Sequence, residues 1–256
     1  MANMKIIDAH VHFPRSGKLG HFVERCEEAG IEKCFMCALP RAELGNAVVH
    51  EALKEYPDLI EGFAYIDLDG DGLEAVDEAY TKGFMGIKLI APLKPYDWEG
   101  YLPFYERIEN QRMPILFHTG IVARGVKTIE KGVTSSSMRP IYLETVARSF
   151  PKLNLIGAHL GHPWCEEAAV VSFHNPNVYF DISGGHTFYI ALAIWRRLSY
   201  DLQPSKLLFG TDSSPDNFQR YIDYWQTTLP QIGVREEDLP FIFHRNAQEI
   251  ISSAKG

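Results

Sequence analysis

The sequence has few cysteines, fewer basic than acidic residues, and no long apolar run. Four cysteines in 256 residues are too few for the disulfide framework of a small secreted domain. The 25 lysines and arginines are outnumbered by 33 aspartates and glutamates, which disfavours a protein that binds a nucleic-acid backbone. No stretch reaches the roughly 18 consecutive apolar residues of a membrane span. What remains is a globular protein, 46% hydrophobic, with enough apolar material for a sizeable core.

Two of the cysteines, Cys34 and Cys37, form a C-x-x-C pair inside an apolar segment. A redox pair usually opens a helix, whereas this segment has the pattern of a strand. Neither Cys26 nor Cys165 supplies a second pair at the spacing of a zinc site. The N-terminal residues also lack the basic start and apolar run of a secretory signal. We therefore expect buried, reduced thiols and a cytoplasmic protein.

Short apolar runs alternate along the chain with longer segments that have helical spacing. Eight runs have the character of strands: Lys5–His10, Lys33–Leu39, Leu59–Ile66, Phe84–Leu89, Pro114–His118, Leu153–His159, Val178–Asp181 and Leu207–Asp212. Strict alternation predicts a parallel sheet. Eight units within about 250 residues favour a closed (β/α)8 barrel over an open doubly wound sheet, and the first strand lacks the glycine-rich turn of a dinucleotide-binding sheet. We therefore predict an α/β protein with one TIM-barrel domain over residues 1–256.

Residues that bind metals or protons stand near the ends of four predicted strands. They are Asp8, His10 and His12 in and after the first strand, and His118, His159 and Asp212 at the ends of the fifth, sixth and eighth. The first three alternate with Ile7, Ala9 and Val11, which predicts a polar face inside the barrel and an apolar face outside. Because the carboxyl ends of all strands meet at one rim of a barrel, we expect these side chains to converge there.

Several imidazoles and a carboxylate at one rim form a ligand set for a divalent transition metal. Zinc fits this set best, and manganese, iron or cobalt also suit it. Such an ion lowers the pKa of bound water towards ~7, and a nearby carboxylate can take the proton as that water attacks a carbonyl. A single histidine is more often structural than a ligand, but four strand ends together predict one bound ion and an enzyme.

Four motifs, in order along almost the whole chain, carry a resemblance to a known family. They are Asp8-Ala9-His10-Val11-His12, His118-Thr119-Gly120, Ala158-His159-Leu160-Gly161 and Phe209-Gly210-Thr211-Asp212-Ser213. Together they resemble the amidohydrolase superfamily, and within it the amidohydrolase-2 branch of metal-dependent hydrolases and decarboxylases that includes aminocarboxymuconate semialdehyde decarboxylase. The H-x-H pair alone is a weak signal, whereas all four motifs at successive strand ends are a specific one.

The resemblance implies roles for individual residues. The metal ligands would be His10, His12, His118 and Asp212. His159 would act as an acid/base or orient the attacking water, and Asp212 would also accept the proton. Lys88 stands near the position of the carbamylated lysine that bridges two metals in binuclear members. The sequence leaves open whether Lys88 is such a carbamate, a substrate-facing ammonium or an ordinary lysine between helices.

Two reactions stay open at this point. The first is hydrolysis, in which metal-activated water attacks the carbonyl of an amide, ester or lactone. The second is decarboxylation of an unsaturated or aromatic acid. A nuclease branch shares the H-x-H barrel, but the acidic charge balance and a lysine in the fourth strand disfavour it. We expect a small, carboxylated substrate and no nucleic-acid or membrane partner. Dimers are common in the family, so a homodimer is also open.

Four residues in predicted rim loops are candidates for substrate contacts. Arg15 follows the H-x-H motif and could bind a carboxylate in bidentate fashion. Arg124 lies in the long fifth loop, which also carries Lys127, Lys131 and Arg139 in an otherwise acidic chain. Trp164 and His186 follow the sixth and seventh strands. Each of the four is also interpretable as a solvated or packed loop residue.

Overall fold

The computed structural model describes residues 4–14, 17–123 and 131–256. Within these residues, eight strands and nine α-helices alternate as predicted. The strands are β1 (Ile6–Val11), β2 (Ile31–Cys37), β3 (Ile60–Tyr65), β4 (Gly86–Leu89), β5 (Ile115–Phe117), β6 (Leu155–Gly157), β7 (Val178–Asp181) and β8 (Leu207–Leu208). The helices are α1 (Leu19–Glu28), α2 (Asn46–Glu55), α3 (Glu74–Thr81), α4 (Leu102–Asn110), α5 (Tyr142–Ser149), α6 (Cys165–His174), α7 (Thr187–Arg197), α8 (Phe218–Gln231) and α9 (Asn246–Lys255). The predicted (β/α)8 barrel is confirmed.

The barrel closes between its first and last strands. Consecutive strands pair in parallel from β1 to β8. At the remaining seam, the Ala9 N–H donates to the Phe209 carbonyl at 2.9 Å, and the Asp212 N–H donates to the His10 carbonyl at 2.7 Å. The seam therefore brings two segments from opposite ends of the sequence side by side. As a result, the H-x-H motif after β1 lies next to Asp212 after β8.

The interior of the barrel is filled by one apolar cluster, and helix α9 contributes to it from the amino-terminal end of the strands. Alternate residues of the strands contribute to it, including Phe35, Phe63, Leu116, Ile156, Tyr179 and Leu208. Ala247, Ile250 and Ile251 of α9 belong to the same cluster. Burying a large apolar side chain in this way stabilises the fold by about 1.5–3 kcal/mol. Because α9 covers the amino-terminal end of the barrel, the open end is the one where the strands finish.

The predicted alternation in β1 is wrong. Ile7 and Ala9, expected to face the helices, belong to the interior cluster. Asp8, expected inside with the histidines, lies instead in the seam between β1 and β8, where it bonds to Thr211. The physical reason is an irregularity in the β1–β2 pairing, whose register shifts between Asp8 and Val11. An extra residue in a ladder reverses the faces on either side of it.

All four cysteines are buried and free, including Cys34 and Cys37 within and at the end of β2. This agrees with the expectation of packed thiols rather than a redox or zinc motif. Cytoplasmic location stays a prediction. Among the described residues, none of the helices has the length and apolar character that crossing a membrane would require.

Candidate metal centre

Three of the four predicted metal ligands converge at the open end of the barrel. Ligand atoms of His10, His12 and Asp212 all lie within 4.8 Å of one another. Nε2 of His12 is 3.2 Å from Oδ1 of Asp212. His10 is buried within the rim, while His12 and Asp212 are partly exposed to solvent. The site is therefore firmly held yet accessible from outside.

The two histidines of the H-x-H motif are held in one orientation by their Nδ1 atoms. Nδ1 of His10 donates to Oδ2 of Asp181 at 2.9 Å. Nδ1 of His12 donates to the Cys37 carbonyl at 2.7 Å. Each imidazole therefore carries a proton on Nδ1 and directs its Nε2 into the site. Burial, and then the Lys88 charge, lower the pKa of His10 to about 4, which keeps that ring neutral. This is the arrangement in which metal-binding histidines are usually found.

Asp181, the last residue of β7, is a residue of the candidate site that the sequence did not predict. It is completely buried. Its Oδ1 accepts from the backbone N–H groups of His159 at 2.8 Å and Ser183 at 3.0 Å, while its Oδ2 holds His10. Burial raises the pKa of this carboxyl, but the neighbouring imidazoles and hydrogen bonds outweigh burial and bring the pKa below its ordinary value. Its place at the end of a predicted strand was the signal that could have found it.

His159 lies between Asp181 and Asp212 and has the orientation of a base. The hydroxyl of Ser183 donates its proton to Asp181, so Ser183 Oγ accepts from His159 Nδ1, which is 2.9 Å away. Its Nε2 then faces Oδ2 of Asp212 at 3.7 Å. The ring also stacks on His10 with 5.2 Å between centroids. The predicted acid/base residue is thus brought to the site with Nε2 directed at Asp212.

Two of the predicted site residues adopt a left-handed backbone conformation. His159 has φ 59° and Asp212 has φ 44°. This region is unfavourable for residues other than glycine and costs of order 1–3 kcal/mol. Hydrogen bonds from their backbone N–H groups to Asp181 and His10 hold the two residues there. The strain turns both side chains from the ends of their strands towards the centre.

His118 is near the site but is turned away from the other ligands. Its ring centroid is 5.0 Å from that of His159. Its Nε2 lies 3.1 Å from the Ile121 carbonyl. His118 is not part of the group of ligand atoms that His10, His12 and Asp212 form. Burial lowers the pKa of His118, which favours a neutral ring. Its role as fourth ligand stays a prediction that requires Nδ1 or a turn of the ring.

Lys88 faces the centre of the site. The alternative of an ordinary lysine that points out between helices is therefore excluded. Its side chain is almost completely buried, and Nζ lies 3.1 Å from Nε2 of His10. Burial lowers the pKa of this amine. A bridging carbamate on Lys88 stays a prediction. His10, His159 and Asp181 form a second convergent group, but their hydrogen bonds account for that arrangement without an ion.

Asp8 ties the two halves of the site together across the seam. Its Oδ1 accepts from the backbone N–H groups of His10 at 3.1 Å and Thr211 at 3.0 Å, and its Oδ2 accepts from the Thr211 hydroxyl at 2.7 Å. Burial raises the pKa of this carboxyl to about 7. Thr211 directly precedes Asp212, so Asp8 fixes the position of the eighth-strand ligand relative to His10.

The four predicted substrate contacts have different outcomes. Arg15 and Arg124 lie outside the described residues. Trp164 is half-buried beneath the guanidinium of Arg139, which is 5.5 Å from its ring centroid. His186 is exposed at the start of α7 and stacks on His162, with 4.4 Å between ring centroids. Neither of the last two is in contact with the three convergent ligands.

Arg139, one of the basic residues of the fifth loop, is already paired. Its guanidinium makes a two-pronged interaction with the carboxylate of Glu167 on α6. It is therefore an anchor for that loop rather than a free cation for a substrate.

Most of the chain matches the model of a known family. An amidohydrolase family model, Amidohydro_2, matches residues 33–251, which is most of the chain. The chain belongs to the amidohydrolase family. Among curated proteins, none matches this amidohydrolase with significant similarity.

Solved structures share the fold over nearly the whole chain. An uncharacterised TIM-barrel protein from Bordetella bronchiseptica has a TM-score of 0.76 and 20% identity, covering 98% of this chain and 100% of its own. A probable 2-pyrone-4,6-dicarboxylic acid hydrolase from Acinetobacter baumannii has a TM-score of 0.66 and 14% identity, covering 98% and 99%. A 2,6-dihydroxybenzoate decarboxylase from Rhizobium has a TM-score of 0.66 and 18% identity, also covering 98% and 99%. At these identities the likeness is one of fold.

Proposed function

We propose that this amidohydrolase is a metal-dependent hydrolase of small carboxylated substrates. One divalent ion, zinc before manganese, iron or cobalt, would be held by His10, His12, Asp212 and His118. The observation that carries the proposal is the pair of anchored imidazoles, each with Nδ1 engaged and Nε2 free beside the Asp212 carboxylate. This donor set of neutral nitrogens and one anionic oxygen fits zinc.

The protein's own residues supply the proton transfers. A divalent ion held by these residues would supply Lewis acidity, that is, a polarised carbonyl oxygen and a bound water that is acidic near neutral pH. Asp212, which also contacts His12, would take the proton from the attacking water. His159, with Nε2 3.7 Å from Asp212, would pass that proton to the leaving group. Ser183 and Asp181 keep the His159 ring in the tautomer that this transfer needs.

A decarboxylase is the second candidate, and the position of Lys88 favours it. Among the described residues, Lys88 is the one lysine or arginine that is almost completely buried. An ammonium at the centre, 3.1 Å from His10 Nε2, could hold the carboxylate of an aromatic acid while His159 delivers a proton to carbon. The Rhizobium protein, which acts on 2,6-dihydroxybenzoate according to its name, has the same fold over 98% of this chain.

The first experiment is metal analysis of protein purified without chelators. We expect about one equivalent of metal per chain and its loss in Asp212→Asn. Asp216→Asn is the matched control, because Asp216 is exposed and bonded only to surface partners. Two equivalents, with one lost in Lys88→Ala, would replace the mononuclear proposal with a carbamate-bridged centre. Full metal binding in Asp212→Asn would contradict the proposed ligand set.

The reaction is tested with two probes in water enriched in oxygen-18. For hydrolysis, 2-pyrone-4,6-dicarboxylate should be opened and the new carboxylate should carry the label. For decarboxylation, 2,6-dihydroxybenzoate should release carbon dioxide and leave an unlabelled product. His159→Gln should lower kcat by about 100-fold or more for either substrate. Hydrolysis that persists undiminished after removal of the metal would refute the proposed function.

A further inference from the structure

The hydroxyl of Tyr96 lies where strands β4 and β5 end, next to the candidate centre. Tyr96 belongs to the loop between β4 and α4 and is completely buried. Its Oη donates to the His118 carbonyl at 2.9 Å and lies 3.3 Å from the Leu89 carbonyl. Because Leu89 directly follows Lys88, this one hydroxyl contacts the backbone at or beside two of the predicted site residues.

The hydroxyl takes the place of a backbone donor at the end of the sheet. The His118 N–H donates to the Leu89 carbonyl at 2.8 Å. In a parallel ladder the bonds are evenly spaced, so the next one would run from the Ala91 N–H to the His118 carbonyl. Ala91 instead has φ 58°, and its N–H donates to the Met138 sulfur at 3.4 Å. Without Tyr96, the carbonyl of a predicted metal ligand would lose the hydrogen bond that replaces this missing one.

The backbone of His118 is held on both sides, whereas its side chain is able to turn. The N–H is held by β4 and the carbonyl by Tyr96. The ring has its Nε2 3.1 Å from the Ile121 carbonyl, in the loop that follows β5. Rotation about the side-chain bonds moves a ring between staggered positions without displacing a strand. His118 can therefore turn towards the convergent ligands only as precisely as its backbone is fixed.

Packing and a second tyrosine keep the Tyr96 hydroxyl in place. The Tyr96 ring meets the Phe117 ring edge-on, with 4.8 Å between centroids. The Tyr96 carbonyl accepts from the hydroxyl of Tyr105 at 2.7 Å, and Tyr105 is buried on α4. Because Phe117 is the last residue of β5, the side chain that donates to His118 also packs against the strand before it. Tyr96→Phe would keep this packing and remove only the donor.

We propose that Tyr96 is a positioning residue for the metal centre and that it acts through His118. Its hydroxyl fixes the backbone from which the His118 ring turns to serve as the fourth ligand. This role rests on the proposed function, in which His118 joins His10, His12 and Asp212 around the ion. Removing a hydrogen-bonding partner of a metal ligand typically lowers metal affinity about 10- to 100-fold.

The test is the zinc affinity of the metal-loaded protein, measured by competition with a chromophoric chelator. Tyr96→Phe should lower the affinity about 10-fold, and His118→Ala should lower it at least as much. Because Tyr96 acts through His118, the double variant should bind zinc no more weakly than His118→Ala alone. Losses that add in the double variant would show that Tyr96 acts elsewhere, and they would overturn the proposal.

Cobalt(II) in place of zinc gives a second measurement, because its visible absorption depends on the number and kind of its ligands. The Tyr96→Phe spectrum should shift from that of the wild type towards that of His118→Ala. A wild-type spectrum in Tyr96→Phe, beside a changed one in His118→Ala, would refute the positioning role and leave the proposed function standing. An unchanged spectrum and zinc affinity in His118→Ala would refute the fourth ligand itself, and the role of Tyr96 with it.

Tyr105→Phe is the matched control. It removes a hydroxyl-to-carbonyl bond from the same buried cluster, but Tyr105 donates to Tyr96 rather than to His118. Its melting temperature should fall about as far as that of Tyr96→Phe, while its zinc affinity and cobalt spectrum should stay those of the wild type. An equal loss of zinc affinity in both variants would mean a general loosening of the cluster and would overturn the proposal.

Discussion

The hydrogen bonds of Asp8 across the β1–β8 seam lead to a stability prediction with a defined size. Asp8→Ala removes the acceptor of three buried donors: the backbone N–H groups of His10 and Thr211 and the Thr211 hydroxyl. A buried donor left without a partner costs about 1–3 kcal/mol. The hydroxyl can rotate towards another acceptor, so the two N–H groups dominate. We expect the free energy of unfolding to fall by about 3 kcal/mol.

Asp8→Asn is the control that separates hydrogen bonding from charge. The asparagine oxygen can accept from both backbone N–H groups, and its Nδ2 can donate to the Thr211 hydroxyl oxygen once that hydroxyl rotates. We therefore expect this variant to lie within about 1 kcal/mol of the wild type at a pH where the Asp8 carboxyl is protonated. Urea unfolding followed by circular dichroism measures both values. Equal stability of the alanine and asparagine variants would refute the reasoning.

The wild type and Asp8→Asn should also differ in how their stability depends on pH, and the sign of this difference is fixed. Burial raises the pKa of Asp8 to about 7 in the folded chain, from 3.8 in the unfolded one. The folded state then binds the proton more tightly, so stability falls as pH rises between these two values. The difference between these two pKa values corresponds to roughly 4 kcal/mol. In metal-free protein, the wild type should lose about this much relative to Asp8→Asn, and a pH-independent difference would contradict the assignment.

Three further results are expected. Asp181→Asn should lower metal affinity about 10- to 100-fold while the barrel stays folded, because an asparagine holds His10 Nδ1 less well than the carboxylate does. Isothermal titration with zinc measures the affinity. Gly157→Ala should destabilise the fold by at least about 2 kcal/mol, since the added Cβ would lie 2.2 Å from the Phe180 ring. Gly185→Ala is the control and should change stability by less than about 1 kcal/mol, because a Cβ added there would have no neighbouring atom within 4 Å. Removal of bound metal with a chelator should lower the melting temperature by several degrees and re-addition should restore it, and an unchanged melting temperature would argue against an ion in the folded state.

The barrel was predictable because its strands carry a strong local signal. Strands covered on both faces read as continuous apolar runs, and eight such runs with helices between them leave few alternative folds. Five of the eight predicted strands extend too far at their carboxyl ends. Leu207–Asp212 was expected as one strand, whereas β8 ends at Leu208. The chain leaves the ladder there so that Asp212, at φ 44°, can turn into the site.

The structural features that the sequence did not predict correctly are those set by contacts between distant segments. No local pattern marks the register shift in β1, because it depends on how Asp8 and Val11 meet the neighbouring strand. Asp181 was visible as a carboxylate at a strand end, but its function appears only when β7 comes next to His10, 171 residues away in the chain. The turned ring of His118 likewise follows from a carbonyl in its own loop.

The orientation of the His10 and His12 rings is a property of the barrel rather than of the loops. Nδ1 of His12 is fixed by a carbonyl at the end of β2, and Nδ1 of His10 by the carboxylate at the end of β7. These strands flank β1 and β8, so a slip of register on either side would turn a ligand out of the site. The outer parts of the loops do not hold either of these two rings. They can therefore change the substrate without changing the orientation of His10 and His12.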